Sequence, residues 1–477
     1  MTAPPTHPDL AAPVRSAMPG MSWPALPEAV GLMMLGLQYQ FERSEWWPPE
    51  RLRAHQFRQL QSLLDHAAAE VPYYRDLLSR AGFRPGETLT ESVWQRIPIL
   101  TRREVQQRGM DLHAGRYPSF HGKKSEQHTS GSTGMPTAVL RTELTGLIWE
   151  AITLRDNLWH RRDMSGTFAA LRIRQSPGEN APDGARALAW SLGAGAAFVT
   201  GPSLVLRGVR PISEQIAWLG REQPDYILIH PTILRAMLRD PEGRGLHHER
   251  LKAVISYSEL VPAGLGELLA ETWGVPLQDI YTSEELGYIA LQCPDLPHYH
   301  VQSEAVFVEI LDEAGAPCPP GRVGQVVATS LHNFAMPLIR YALGDYAEAG
   351  PPCPCGRGLP VLARIVGRLR NMLRAPSGAW IKLDFVPMEQ ATDLPIIQYQ
   401  LAQLSLSVIE ARLVTLRPLT PAEEERVRDL VANQCGASGF TIEIRYRDSI
   451  PRSAGGKFEE FLCELDEPAT PTAIKAL

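Results

Sequence analysis

The chain has 477 residues, a formal charge of −6, 44% hydrophobic and 21% charged residues, and six cysteines. Its mildly acidic balance supplies no electrostatic drive toward nucleic acid or anionic membrane, and its length exceeds one ordinary hydrophobic core, so two or more domains are expected. With no export pattern in view, the cysteines read as free or metal-bound thiols rather than disulfides.

Met1 to Pro27 is rich in Pro and Ala and lacks a positive-then-apolar signal pattern, so it reads as an irregular N-terminal segment. The apolar run Val30 to Leu37 is too short to span a bilayer, and the cytoplasm is the expected location. From Pro27 to Ala81 the apolar residues, among them Leu52, Phe57, Leu60, Leu63 and Leu64, fall at helical spacing. Val71-Pro72-Tyr73-Tyr74-Arg75 breaks one helix and starts another, and Thr101 is placed to cap a further one.

The next segment, His128-Thr129-Ser130-Gly131-Ser132-Thr133-Gly134-Met135-Pro136-Thr137, alternates glycines with hydroxyl residues before the apolar Ala138-Val139-Leu140. Glycine permits close backbone approach to a ligand, and successive N–H groups with Ser and Thr hydroxyls form a cradle for polyphosphate. No Gly-Lys-Ser/Thr follows, so it is not the common P-loop. A flexible surface loop is the competing reading of this segment taken alone.

Beyond it, β-rich runs alternate with helices, which predicts α/β layers. Tyr226 to Ile229 and Leu251 to Ile255 read as buried strands, and segments around Ile233 to Leu238 and Leu265 to Thr272 as helices. Asp279-Ile280-Tyr281-Thr282-Ser283-Glu284-Glu285 stands at the end of a third strand, where open parallel sheets place their ligands. Val306 to Ser330 carries strand-and-turn texture, followed by Met336 to Asp345 and a Pro/Gly/Cys corner at Gly350 to Gly358. Val366 to Arg370 is a linker candidate. The last hundred or so residues have the β/α/β texture of a small second domain.

Four separated stretches then stand in order: the glycine loop at 129–137, Tyr281 to Gly287, Ile339-Arg340-Tyr341-Ala342-Leu343-Gly344-Asp345, and Pro451-Arg452-Ser453-Ala454-Gly455-Gly456-Lys457. Together they resemble the signatures of adenylate-forming enzymes. VPYYR at 71–75, CPCGRGLP at 353–360, IVGR at 365–368 and QYQ at 398–400 narrow the likeness to the phenylacetate–CoA ligase-like branch, which includes capsule-biosynthesis-type adenylating proteins. The resemblance implies an irregular segment at 1–27, a large multi-subdomain α/β adenylation (AMP-binding) domain at 28–367, and a small mobile C-terminal α+β lid domain at 368–477.

It also implies roles. Ser130, Gly131, Ser132, Thr133 and Gly134 match the β- and γ-phosphate cradle of ATP. Glu285 matches the acidic residue at Mg²⁺, a hard ion that prefers oxygen, and Asp345 the carboxylate on the ribose. Ser258, Glu259, Asp279, Ile280, Tyr281 and Thr282 match the adenine-side wall, and Arg368 an arginine near ribose and phosphates. Lys457 matches the lysine that enters from the small domain to bridge carboxylate and phosphate oxygens in a transition state of extra negative charge. Its neighbours Gly455 and Gly456 would let a loop deliver it. Arg370 lies at the expected pivot for rotation of the small domain.

Cys293, Cys353 and Cys355 with His298 or His300 offer a Cys₃His set, a standard tetrahedral zinc site; buried reduced cysteines are the competing reading. The resemblance selects His300, seven positions after Cys293, and makes the zinc structural. Cys318, Cys435 and Cys463 stand apart.

Several residues depart from the family pattern. Met135 stands where a lysine is common, so cationic help would come from Mg²⁺, Arg368 or Lys457. Thr282 replaces a glycine, and Glu284 adds a second carboxylate beside Glu285. Ala375-Pro376-Ser377-Gly378-Ala379-Trp380 replaces the glycine-rich pantetheine loop. The expected function is ATP-dependent activation of a carboxylic acid, an aromatic or arylacetic acid by family, with transfer to CoA. The alternatives are transfer to a carrier protein or an amine, AMP transfer to a cofactor hydroxyl, and an inactive nucleotide-binding scaffold. Trp159 to Ala170 and the stretch around His230 are candidates for lining the acid pocket. Oligomeric state is left open, a homodimer included.

Overall fold

A computed structural model describes residues 12–128, 137–173, 183–368, 371–375, 380–382, 394–435, 439–451, 458, 460–465 and 474–476. The glycine loop from Thr129 to Pro136, Arg370 and Lys457 lie outside the described residues.

The chain starts helical: α1 (Ala29–Ser44), α2 (Pro49–Glu70), α3 (Pro72–Arg80), α4 (Glu91–Arg96) and α5 (Arg102–Arg108). The break expected at Val71 is there. Val71 is extended (φ −111°, ψ 112°), because the ring of Pro72 excludes α geometry from the residue before it, and Pro72 then opens α3 at a position that needs no N–H. Thr101 closes a capping box with Glu104: the Glu104 N–H donates to its hydroxyl at 3.2 Å, and its own N–H donates to the Glu104 carboxylate at 2.8 Å. The aromatics of the break are packing residues, since Tyr74 is buried and its hydroxyl donates to the Pro337 carbonyl at 2.9 Å.

Strands β1 (Lys124–His128) and β2 (Ala138–Thr142) pair antiparallel, and α6 (Glu143–Trp159) follows. Then come β3 (Phe168–Arg172), β4 (Ala185–Ala187), α7 (Leu192–Ala197), β5 (Ser203–Arg207), α8 (Ile212–Glu222), β6 (Tyr226–Ile229), α9 (Pro231–Arg239), α10 (Pro241–Arg244), β7 (Ala253–Tyr257), α11 (Leu265–Trp273) and β8 (Leu277–Ser283). The texture then changes to antiparallel: β9 (Gly287–Gln292), β10 (Tyr299–Val301), β11 (Val306–Leu311), β12 (Val323–Ser330), β13 (Tyr341–Ala349) and β14 (Val361–Arg368).

Strands β3 to β14 form one 12-stranded sheet in the order β11-β12-β13-β14-β10-β9-β8-β7-β6-β3-β5-β4. Strands β5, β3, β6, β7 and β8 are parallel neighbours, and from β8 onward the pairing is antiparallel. Arg340 fastens the N-terminal helices to this sheet. Its buried guanidinium donates to the Ile97 and Gln95 carbonyls at 2.6 and 3.0 Å and to Glu309 at 3.1 Å.

The C-terminal part has its own sheet and core. After β15 (Leu373–Arg374) and β16 (Trp380–Lys382) come β17 (Ile396–Ser405), β18 (Val408–Thr415), α12 (Pro421–Gln434), β19 (Thr441–Tyr446), β20 (Phe461–Cys463) and β21 (Ile474–Ala476). Strands β19-β18-β17-β20 form one sheet, packed on Val427 and Val431 of α12 through Leu401, Ile409 and Leu413. Among the described helices none is long and apolar enough to cross a membrane.

Candidate active site

The parallel half of the sheet meets the antiparallel half at β8, and the turn from β8 into β9 puts Glu285 at the edge where strands β6 to β8 end. Glycine is needed there, since Gly287 has φ +90°. From the neighbouring strands β13 and β14, Asp345 and Arg368 reach the same edge, being direct register partners.

The side chains interlock. Tyr281 donates its hydroxyl to Asp345 Oδ2 at 2.8 Å, and Arg368 Nε donates to Asp345 Oδ1 at 3.2 Å. Arg102, the first residue of α5, donates to Glu285 Oε1 at 3.3 Å, and the Tyr341 hydroxyl donates to the same oxygen at 3.4 Å. Burial, then the charge of Asp345, holds the Tyr281 phenol well above its ordinary range, so it remains a donor. Burial and Glu285 raise the Tyr341 phenol likewise. For Arg368, burial lowers its basicity but Asp345 and Glu285 outweigh it, so its pKa is raised. The edge therefore carries two carboxylates, each held by an arginine and a tyrosine, a charge-balanced cluster that offers both hard oxygens and guanidinium donors.

Arg102 and Tyr341 are what the sequence reading missed. Arg102 was hidden beside the Thr101 cap, whose place at a helix start was the one available signal; Tyr341 lay inside a quoted motif without an assigned role.

Two adenine-wall residues sit otherwise than a wall suggests. The Asp279 side chain is buried one pleat behind Tyr281, taking hydrogen bonds from Ser256 and from the Tyr299 hydroxyl at 2.7 Å. Burial pushes it up to about 7. Any contact of this residue with a base would come from its backbone. Glu259 turns back onto the start of α9, accepting from the Thr232 N–H at 3.1 Å and its hydroxyl at 2.8 Å. Burial raises its pKa, but the contacts from His230 and Thr232 outweigh it, so the net shift is downward. Ser258 takes a left-handed φ of +69°; Ile280 and Thr282 are half-buried on β8.

The stem of the glycine loop is in place although the loop is outside the described residues. His128 pairs with Ala138 across β1 and β2. Arg141 of β2 donates to the Glu284 carbonyl and lies 3.7 Å from its carboxylate, so the extra carboxylate is neutralised by the stem.

The second constellation also assembles. Ligand atoms of Cys293, His300, Cys353 and Cys355 all lie within 4.8 Å of one another. His298 Nε2 is 3.0 Å from Cys353 Sγ, so both histidines border the cluster, and His300 completes the four-donor set. Burial drives the His300 imidazole down to about 3, aided by the charge of Arg357, leaving a neutral ring with a lone pair to give. Burial pushes the Cys353 thiol up to about 12 and raises Cys293 as well. Trp159 borders this cluster: its indole donates to Glu45 at 2.9 Å and its ring meets His300 at a centroid distance of 5.8 Å.

The site thus sits where a sheet switches from parallel to antiparallel, beside the paired Tyr281–Asp345 and Arg102–Glu285 groups and with a separate C-terminal sheet. No family model matches the chain. It is 28% identical over 337 residues to the phenylacetate–coenzyme A ligase of Aromatoleum evansii, covering 68% of this chain and 72% of that one. It is 27% identical over 317 residues to the Thermus thermophilus enzyme of the same description, covering 65% and 68%. Among solved structures, 2-hydroxyisobutyryl-CoA ligase in the postadenylation state superposes with a TM-score of 0.66 at 19% identity, over 89% of this chain and 92% of that one. The chain is thus similar in sequence to phenylacetate–coenzyme A ligases and in fold to a CoA ligase.

Proposed function

We propose that the protein is an AMP-forming acid–thiol ligase. It joins a carboxylate to the α-phosphate of ATP with release of pyrophosphate, then passes the acyl group to CoA. The observation that carries this is the convergence of Glu285, Asp345, Tyr281 and Arg368 from three strands onto one sheet edge. In this reading Asp345 accepts from the ribose hydroxyls, and Tyr281 keeps Asp345 oriented. Arg368 and Arg102 offset negative charge, Arg102 supplying part of what Met135 cannot. Lys457 and the glycine loop at 130–134 complete the phosphate site from the small domain and the β1–β2 stem.

Glu285 would hold Mg²⁺, which supplies charge neutralisation at the phosphates; a carboxylate fits that hard ion. Zinc fits the Cys/His set on donor chemistry and spacing. Three thiols and one neutral imidazole are a standard tetrahedral complement, and the Sγ atoms of Cys293 and Cys353 are 4.0 Å apart, near the separation of two thiolates sharing one ion. That site would be structural, since all four positions are filled by protein.

The substrate class this reading favours is an aromatic or arylacetic acid. The test is acid-dependent pyrophosphate release across a panel of carboxylic acids, with and without CoA. Release that requires one acid, with a CoA thioester formed only when CoA is added, is the expected result. The segment 375–380 departs from the pantetheine-loop pattern and favours a second reading, a carrier-protein or amine acceptor. Adenylation with no thioester from CoA would support it. No release with any acid would leave AMP transfer to a cofactor hydroxyl or an inactive nucleotide-binding scaffold.

A further inference from the structure

The Cys/His cluster has a cation built against it. Arg357 ends the turn Cys353-Pro354-Cys355-Gly356-Arg357, and its Nη1 lies 3.6 Å from Cys355 Sγ. Its Nε donates to Glu45 Oε1 at 3.1 Å. The guanidinium sits over the rings of Trp46 and Trp159, at 4.9 and 4.5 Å from their centroids. Only 10% of the side chain is exposed.

The other partners of this arginine are themselves fixed. Glu45 Oε2 accepts from Trp159 at 2.9 Å and from Arg155 at 3.1 Å, and Arg155 is paired in turn with Glu304. The Gly358 N–H donates to the Glu45 carbonyl at 2.8 Å. A Cβ on Gly358 would stand 1.8 Å from the Trp47 carbonyl oxygen, so the corner after Arg357 presses directly on the link between α1 and α2. Trp159 thus meets the His300 ring edge-to-face and lies under the Arg357 guanidinium.

Charge bookkeeping gives the arrangement a purpose. Three thiolates, a neutral imidazole and a divalent ion sum to one net negative charge in a buried place, which is costly without a counter-charge. Groups that hydrogen-bond metal ligands orient them and tune the metal.

We propose that Arg357 is a positioning residue of the metal knot. Its N–H donates to the Cys355 thiolate, it balances the net charge of the loaded cluster, and through Glu45 and Trp159 it fastens the knot to α6 and the α1–α2 corner. This rests on the zinc reading above. It concerns no residue that touches nucleotide or acid.

The experiment compares the parent, Arg357→Gln and Arg357→Lys, each purified with zinc and checked for a native circular-dichroism spectrum. Zinc transfer to a chromogenic chelator gives relative affinity, and reconstitution with Co²⁺ gives the thiolate-to-metal charge-transfer band. The glutamine variant is expected to hold zinc about 10–100-fold more weakly and to shift that band. Lysine, which keeps the charge but loses the planar fork and the ring stacking, should fall between. Equal affinity and an identical band in all three proteins would overturn the role of Arg357 while leaving the zinc site standing. A parent chain that binds neither zinc nor cobalt would remove the zinc reading and this inference with it.

Discussion

Strands β9 and β14 carry different chemistry at their two ends. One end is bounded by Glu285 and Arg368, the other by Cys293 and by Cys353 and Cys355. At the first, carboxylates are matched with arginines; Glu285 is buried, and the Asp345–Arg368 pair is partly open to solvent, the Arg368 side chain being 34% exposed. At the second, thiols and an imidazole are enclosed by aromatic rings and buried ion pairs, His300 being 0% exposed. An exchangeable ligand needs partners that can be displaced. A structural ion needs partners that cannot leave. Strand β10 joins the two regions, because it pairs with β9 on one side and β14 on the other, with His300 facing Leu291 and Val361. A metal held by these four residues would fix the register of the strands that present Glu285 and Arg368.

Breaking each end separately tests that division. The largest effect is expected from Lys457→Ala, which should cut acid-dependent pyrophosphate release roughly 10²–10³-fold, the usual cost of removing one group aimed at developing charge. Zinc content and Tm should stay at parental values. Equal activity in parent and variant would remove the lysine from the chemistry.

Cys353→Ser attacks the other end. Zinc should drop from about one ion per chain to a trace by elemental analysis, and Tm should fall by roughly 5 °C or more, since metal binding is folding energy. At low temperature the KM for ATP should be unchanged. Freshly purified parent protein with no zinc would defeat the metal assignment, and a large change in KM at parental stability would show that the ends are not separable.

Asp279 lies between them and sharpens the boundary. Its acid stays protonated to about pH 7 in the folded chain and ionises near 4 when unfolded. The native state therefore holds the extra proton between those values. Its contribution is full below about pH 4, is lost as pH rises toward 7, and is constant above. Asp279→Asn mimics the protonated acid, so its stability relative to the parent should rise from pH 5 to pH 7 by up to about 1.4 kcal/mol per unit. Parallel denaturation profiles for the two proteins would show that the carboxyl is not held neutral.

What was legible followed from the range of the interaction involved. Tyr226 to Ile229 and the helix of Ile233, Leu234 and Leu238 were readable because period and apolar content are local, and Thr101 because a capping box spans four residues. The meeting of Tyr281, Glu285, Asp345 and Arg368 was readable only through motif order, since nothing local ties Asp345 to Tyr281 across 64 positions. The pairing of Arg102 with Glu285 was not readable: 183 positions separate them, and only the placement of α5 against β13 brings them together. The partners of Trp159 were unreadable for the same reason: its indole donates to Glu45, 114 positions away in the turn after α1.

The smallest effect is expected from Tyr281→Phe. The hydroxyl is a buried donor 2.8 Å from Asp345, and its raised pKa keeps the proton on it throughout the working range. Removing it leaves Asp345 with Arg368, and water can reach the partly exposed carboxylate. The loss should therefore be that of one replaceable hydrogen bond, about 1 kcal/mol, or roughly fivefold in affinity. If Asp345 serves ATP binding, that loss falls on KM for ATP with kcat retained, because ribose contacts are alike in ground and transition states. A fall in Tm with KM untouched would make the Tyr281–Asp345 pair part of the scaffold, and both ends of the strands would then be structural.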